Sequence, residues 1–234
     1  MFTKFVLDYA AQHEGRTITL LQAGCTTAGD ELDLDALRGS PYDVTISLVD
    51  DDVPATREAV ASRPELTGAI LGELRSLPIA PRSFDVVHCP MLLHRIDNAE
   101  LVLGRLVAAL RPAGLLLMRT CDRQTAAGFL DRTLPEPARA AMWRSDHGSQ
   151  PGPYPAIYEP IASASGIEAY VTRHGLAIAH RQTCRTGASA RPAAGLAGRR
   201  IVAGLSRGRF ISSYDELRYV IRKPEDRFAR VLQE

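Results

Sequence analysis

Ile18-Thr19-Leu20-Leu21-Gln22-Ala23-Gly24-Cys25-Thr26-Thr27-Ala28-Gly29 is the stretch on which the fold turns. It reads as an apolar β-type segment, a sharp turn and the start of a helix. That layout belongs to a strand feeding a ligand-binding loop in an α/β sheet. The loop keeps only Gly24 and Gly29, with Thr26 and Ala28 between them.

Outward from this segment, the spacing of apolar residues predicts a helix over 2–12 and a strand over 17–22. A short acidic-start helix follows over 30–38, where carboxylates suit the positive end of the macrodipole. Strands are predicted at 42–49, 67–71, 83–88 and 115–118. Helices are predicted at 54–62, with a proline near its start, and at 99–110. Arg111-Pro112-Ala113-Gly114 reads as a turn. Strands alternating with helices at this spacing imply βαβ crossovers and a mostly parallel sheet. Such sheets bind ligands beyond the carboxyl ends of their strands. The residues to inspect therefore lie at 24–29, 50–52, 72–74, 89–94 and 120–122.

Beyond residue 122 the pattern loosens. Residues 125–144 read as helix broken at Pro135 and Pro137, and Ser149–Pro160 carries four prolines, so it is read as a loop. A helix over 161–174 and strands over 176–181 and 215–222 are predicted. Residues 187–208 are rich in Ala, Gly and Arg, with little pattern.

The chain has 234 residues, 45% of them hydrophobic and 24% charged, which suffices for one core. A net charge of +1 argues against a general nucleic-acid binder. The balance is uneven, since residues 181–234 hold twelve Lys and Arg against five Asp and Glu. That basic region suits a solvated surface first, and otherwise an anionic substrate, a carrier protein or nucleic acid. Four cysteines without close spacing give no metal or disulfide framework and fit a reducing, cytoplasmic setting. No apolar run reaches the length of a membrane span.

The segments after each predicted strand add up to a resemblance. Gly72-Glu73-Leu74-Arg75-Ser76-Leu77-Pro78, then Ser83-Phe84-Asp85-Val86-Val87, then Leu93-His94 keep one register. With TLLQAGCTTAG before them and LVLGRLVAALRPAGLLLMR after, residues 15–122 resemble a class I S-adenosylmethionine-dependent methyltransferase of the small-molecule group. The resemblance implies a Rossmann-like, doubly wound, seven-stranded, mostly parallel sheet with helices on both faces and a C-terminal cap. It divides a single domain into a cofactor-binding core at 15–122, a lid or acceptor insertion at 123–165, and C-terminal strands with a variable basic segment at 166–234.

Position by position, the resemblance implies S-adenosylmethionine as cofactor and S-adenosylhomocysteine as product. Gly24 would let the backbone approach it, with Cys25 in the same loop. Asp50 would accept both ribose hydroxyls, as a carboxylate with two oxygens can. Asp51 would lie beside the adenine, Glu73 would take its amino group, and Leu74 would offer a backbone N–H and an apolar face. The Cys89 carbonyl would meet the methionine ammonium. The first loop departs from the family: neutral Gln22 stands where an acid is expected, and Thr26 and Ala28 stand where glycines are.

His94 is the candidate general base, since imidazole can take a proton near neutral pH. His147, Tyr154 and Tyr158, with Glu159, lie in or beside the proline-rich insertion and are candidates for substrate contact. Three functions fit the residues. The first is methyl transfer to a small-molecule acceptor, on O, N or C. The second is a methyltransferase-fold enzyme that no longer transfers methyl, of cyclase or isomerase type. The third is a non-catalytic partner subunit. A homodimer is compatible with each.

Overall fold

A computed structural model describes residues 1–24, 32–147, 154–185, 202, 204–207 and 209–225, with the side chains of 145–147 excepted. The elements run α1 (Phe2–Ala11), β1 (Ile18–Ala23), α2 (Leu34–Arg38), β2 (Val44–Asp50), α3 (Pro54–Ala61), β3 (Gly68–Leu71) and β4 (Phe84–Pro90). They continue with α4 (Ala99–Ala109), β5 (Leu110–Cys121), α5 (Ala126–Thr133), α6 (Glu136–His147), α7 (Ala164–Arg173), β6 (Ala177–Cys184) and β7 (Glu216–Arg222).

One seven-stranded sheet has the order β3-β2-β1-β4-β5-β7-β6. The first five strands are parallel, and β7 runs antiparallel to both β5 and β6. The period-two alternation of a strand explains the two-sided core. Leu20, Val86, Leu117 and Val220 face α1 residues such as Phe2 and Val6. Their neighbours Leu21, Val87, Leu116 and Ile221 face Leu103 and Leu106 of α4 and Ile167 and Tyr170 of α7. The α/β, doubly wound expectation therefore holds. No described helix is long and apolar enough to cross a membrane.

Two local expectations change. The first is that the acidic-start helix is shorter within the described residues: Asp33 is its N-cap, and its carboxylate accepts the Ala36 N–H at 2.9 Å. The second is that residues 111–114 form no separate turn but the first part of a long β5. Leu110 pairs with Phe84, and the Gly114 carbonyl accepts the Lys223 N–H at 2.9 Å, so the sheet recruits the segment. Ala113 takes φ of +64° to allow it. The low-pattern stretch 187–208 falls almost wholly outside the described residues.

At the amino end of the parallel strands, Asp85 is a buried hub. Its carboxylate accepts Arg16 at 2.5 Å, Arg111 at 2.6 Å, and the Thr19 N–H and hydroxyl at 3.0 and 2.9 Å. Burial alone would raise its pKa. The hydrogen bonds from Thr19 and Arg111 outweigh burial and hold it below the ordinary value. The Asp of Ser83-Phe84-Asp85 thus fastens β1, β4 and β5 at the end of the sheet away from the candidate site.

Candidate active site

At the carboxyl end, three strand ends are tied together by backbone hydrogen bonds. The Gly24 N–H donates to the Val49 carbonyl at 2.8 Å, and the Gly72 N–H donates to the Asp50 carbonyl at 3.0 Å. Gly24 has φ of +94°. A Cβ there would lie 3.7 Å from Leu92 and 3.8 Å from the Pro90 carbonyl, so space would admit it. The backbone conformation is what asks for glycine.

Asp50 ends β2 and is 7% exposed. One of its oxygens accepts the Asp51 N–H at 2.9 Å. The Asp51 carboxylate stands 3.5 Å from the Leu74 N–H, at the outer limit of a hydrogen bond, and Leu74 itself is buried. Glu73 is half exposed and ion-paired to Arg75. Cys89 is buried in β4, and burial pushes its thiol up to about 12, so its side chain is inert. Cys25 lies outside the described residues.

Gln22 is 3% exposed. Its Nε2 donates to the Gly24 carbonyl at 3.0 Å, and its Oε1 accepts Arg63 Nη2 at 3.1 Å. Arg63 also pairs with Glu65 at 2.6 Å, and its side chain is 12% exposed. The neutral amide therefore braces the first loop and caps a buried guanidinium, where the resemblance expects a carboxylate. Nothing local in the sequence signals Arg63, which is remote from Gln22 along the chain.

His94 follows β4 and is 5% exposed. Its Nδ1 lies 3.2 Å from the Thr120 hydroxyl, and its carbonyl accepts the N–H groups of both Ile157 and Tyr158 at 3.0 Å. Burial, then the charges of Arg95 and Arg119, pushes the imidazole down to about 3. Tyr158, at φ of +52°, stacks at a tilt with its ring 5.2 Å from that of His94. The Tyr158 hydroxyl donates to Asp131 at 3.0 Å. Burial, then the nearby Cys121 and Asp131, holds its pKa well above the ordinary value. Tyr154 lies under the Arg95 guanidinium at 3.6 Å and edge-on to Trp143. The insertion thus brings Tyr154 and Tyr158 to the His94 turn. The side chain of His147, at the end of α6, is outside the described ones. Glu159 caps α4 instead, since its two oxygens accept the Asn98 and Ala99 N–H groups at 2.7 and 2.9 Å.

Sequence reasoning missed a second buried pair. Arg119 in β5 and Glu216 in β7 join through two hydrogen bonds of 2.9 and 3.0 Å. Charged residues in or beside predicted strands were the available signal.

Residues 21–118 match a family model described as a methyltransferase domain. Over these residues, the core of the sheet, the chain is similar to a methyltransferase domain. No curated protein sequence matches it. Solved structures share the fold of the methyltransferase domain at low identity. One is an S-adenosylmethionine-dependent methyltransferase from Mesorhizobium loti, at 15% identity and a TM-score of 0.54, covering 88% of this chain and 91% of that one. Another is the [4+2]-cyclase SpnF, at 15% identity and 0.56, covering 96% and 80%. A third is a chain from the complex of the Haloferax volcanii methyltransferase activator Trm112, at 15% and 0.53, covering 96% and 93%.

The strand ends of the methyltransferase domain fit the nucleoside half of S-adenosylmethionine. A nearly buried carboxylate ends β2, a positive-φ glycine follows β1, and apolar Leu74 stands beside them. Where the methionine half would lie, Gln22 supplies polarity without negative charge.

Proposed function

We propose that this protein binds S-adenosylmethionine across the ends of β1, β2 and β4 and transfers its methyl group to a small-molecule acceptor. The observation that carries the reading is Asp50. Its carboxylate is almost out of water at the end of β2, its backbone carbonyl accepts the Gly72 N–H, and Gly24, bonded to the preceding Val49, is a glycine with positive φ. Asp50 would hold the ribose hydroxyls, and Asp51, Glu73 and Leu74 would frame the base. Gly24, Cys25 and the Cys89 carbonyl would follow the methionine end. When bound, the sulfonium supplies an activated methyl carbon, and the chain supplies alignment and a dry site.

The acceptor would enter over β4 and β5, under residues 154–160, within the insertion at 123–165. Tyr154 and Tyr158 would shape that entrance, and His147 is a further candidate for acceptor contact. His94 is the candidate base. Burial keeps it neutral and ready to accept a proton, but it would hold that proton weakly. The arrangement therefore suits an acceptor that is already nucleophilic. A small-molecule metabolic role in a reducing cytoplasm agrees with the lack of a disulfide among Cys89, Cys121 and Cys184.

Titration calorimetry with S-adenosylmethionine and S-adenosylhomocysteine tests the reading. Binding is expected for both, with at least a tenfold loss in Asp50→Ala. No heat at millimolar ligand would overturn it.

A second reading is favoured by the Gln22–Arg63 contact of 3.1 Å. Without an acid there, the pocket would gain little from the sulfonium charge and could hold the cofactor without using it. Isotope-labelled methyl appearing in a product would exclude this reading. The same fold hosts a cyclase, so the architecture permits either reading.

A further inference from the structure

An open cavity of about 520 Å³ lies beyond the carboxyl end of β5, between residues 123–124, the last turn of α5, the first turn of α7 and residues 209–210. Its lining includes Arg123, Arg132 and Arg209, with Gln124, Ser165 and Phe210. None of the three guanidinium groups forms a salt bridge among the described residues. Arg132 is anchored through Nε to the Gly128 carbonyl and through Nη2 to the Arg123 carbonyl, both at 3.1 Å. Its pKa is lowered, first by burial and then by the charge of Arg123. Three like charges are thus gathered in one concavity, with no carboxylate among its described lining residues.

Like charges held together repel, and a fold accepts that cost where an anion completes the cluster. The fixed fork of a guanidinium matches phosphate oxygens. A single carboxylate is satisfied by one such fork, whereas three forks suit the larger charge and oxygen count of a phosphate. The volume exceeds that of a bare ion and leaves room for an organic body against the Phe210 ring. Ser165, whose hydroxyl accepts Gln124 Nε2 at 3.1 Å, adds a polar wall.

We propose that the cavity formed by Arg123, Arg132 and Arg209 is a binding site for the phosphate group of a small-molecule ligand. The site opens on the same end of the sheet as the entrance assigned to the acceptor. The ligand would then be the acceptor itself or a phosphorylated portion of it. That last step rests on the methyl-transfer reading, while the binding does not.

The test uses the full chain with inorganic pyrophosphate as the probe, in titration calorimetry without cofactor. Binding is expected at low ionic strength and should weaken steeply with added salt. Arg123→Gln and Arg209→Gln should each lose at least fivefold, and the pair at least twentyfold, with no fall in melting temperature. These two side chains make no hydrogen bond to the described fold, so the variants should stay folded. Arg132→Gln is less suitable because Arg132 braces α5. Three results would overturn the proposal: no binding at 20 mM pyrophosphate, equal affinity in the double variant, or equal affinity for citrate. Cofactor binding is measured separately by the Asp50→Ala comparison, so failure of one site is distinguishable from failure of the other.

Discussion

At the scale of single residues, Gln22 and His94 carry the sharpest tests of the candidate site. Gln22→Glu places a carboxylate 3.1 Å from Arg63, which would take part of its charge. The remainder should favour the charged sulfonium over neutral S-adenosylhomocysteine. A rise of threefold to tenfold in the ratio of the two affinities is expected, about 0.7–1.4 kcal/mol and so below the roughly 1.5–3 kcal/mol of a full charge-assisted hydrogen bond, because Arg63 takes part of the charge. Calorimetry with both ligands checks it, and an unchanged ratio would mean that the methionine end lies elsewhere. For His94, a pKa near 3 means the imidazole stays neutral from pH 5 to 8. The methyl-transfer rate should therefore show no acid limb near 6.5 belonging to His94. A limb there that disappears in His94→Gln would contradict the buried state described. The places of Asp50, Gly24 and His94 at the carboxyl ends of strands were legible because each ends or follows a run with a clear strand pattern. Arg63 was not, because its meeting with Gln22 depends on how α3 and β3 pack.

The strands and helices were legible where a periodic run ends in a clear stop. β1, β2 and β4 follow their predicted ranges within two residues, since β-branched and apolar residues alternate there. The proline and glycine of 111–114 suggested a turn, but pairing with Phe84 and the Lys223 bond hold them in the sheet. Propensity gave way to tertiary context. The start of α4 was read at Ala99, but what caps it was not. Its N-cap, Asn98, uses no side-chain hydrogen bond and sits at φ of +55°. The cap comes from Glu159 in a remote loop. Glu159→Ala should lower stability by about 1 kcal/mol, as measured by urea unfolding, while Glu159→Gln should lose less. No change in the alanine variant would show that α4 needs no cap.

For the molecule as a whole, acid should destabilise in two stages. His88 and His94 are both buried and pushed down to about 3 from 6.5. As pH falls below 6.5 the unfolded chain takes up protons that the folded chain refuses. Stability therefore drops, by up to about 1.4 kcal/mol per pH unit for each histidine, until the folded values are reached. Asp85 acts lower down. Its folded pKa is depressed, so its contribution is complete above the ordinary carboxylate range and is lost as pH falls through the folded value. Melting curves between pH 4 and 7 should show the first stage, flattened in a His88→Gln, His94→Gln double variant. A flat wild-type profile would show that neither histidine is buried neutral. The helices on both faces and the seven strands came through the family resemblance, whereas the strand order was not read. The meeting of Arg123, Arg132 and Arg209 was not read either.

The place of β7 has a consequence in time. It is the last strand in the described chain, yet it lies inside the sheet, between β5 and β6. Glu216, its first residue, meets the buried Arg119 of β5. During synthesis β6 emerges with no neighbour to pair with, and Arg119 has no carboxylate to neutralise it. Both wait for residues 216–222 to leave the ribosome. The domain is thus completed from its tail inward, and a chain stopped before Glu216 should expose both β5 and β6 as open edges and aggregate.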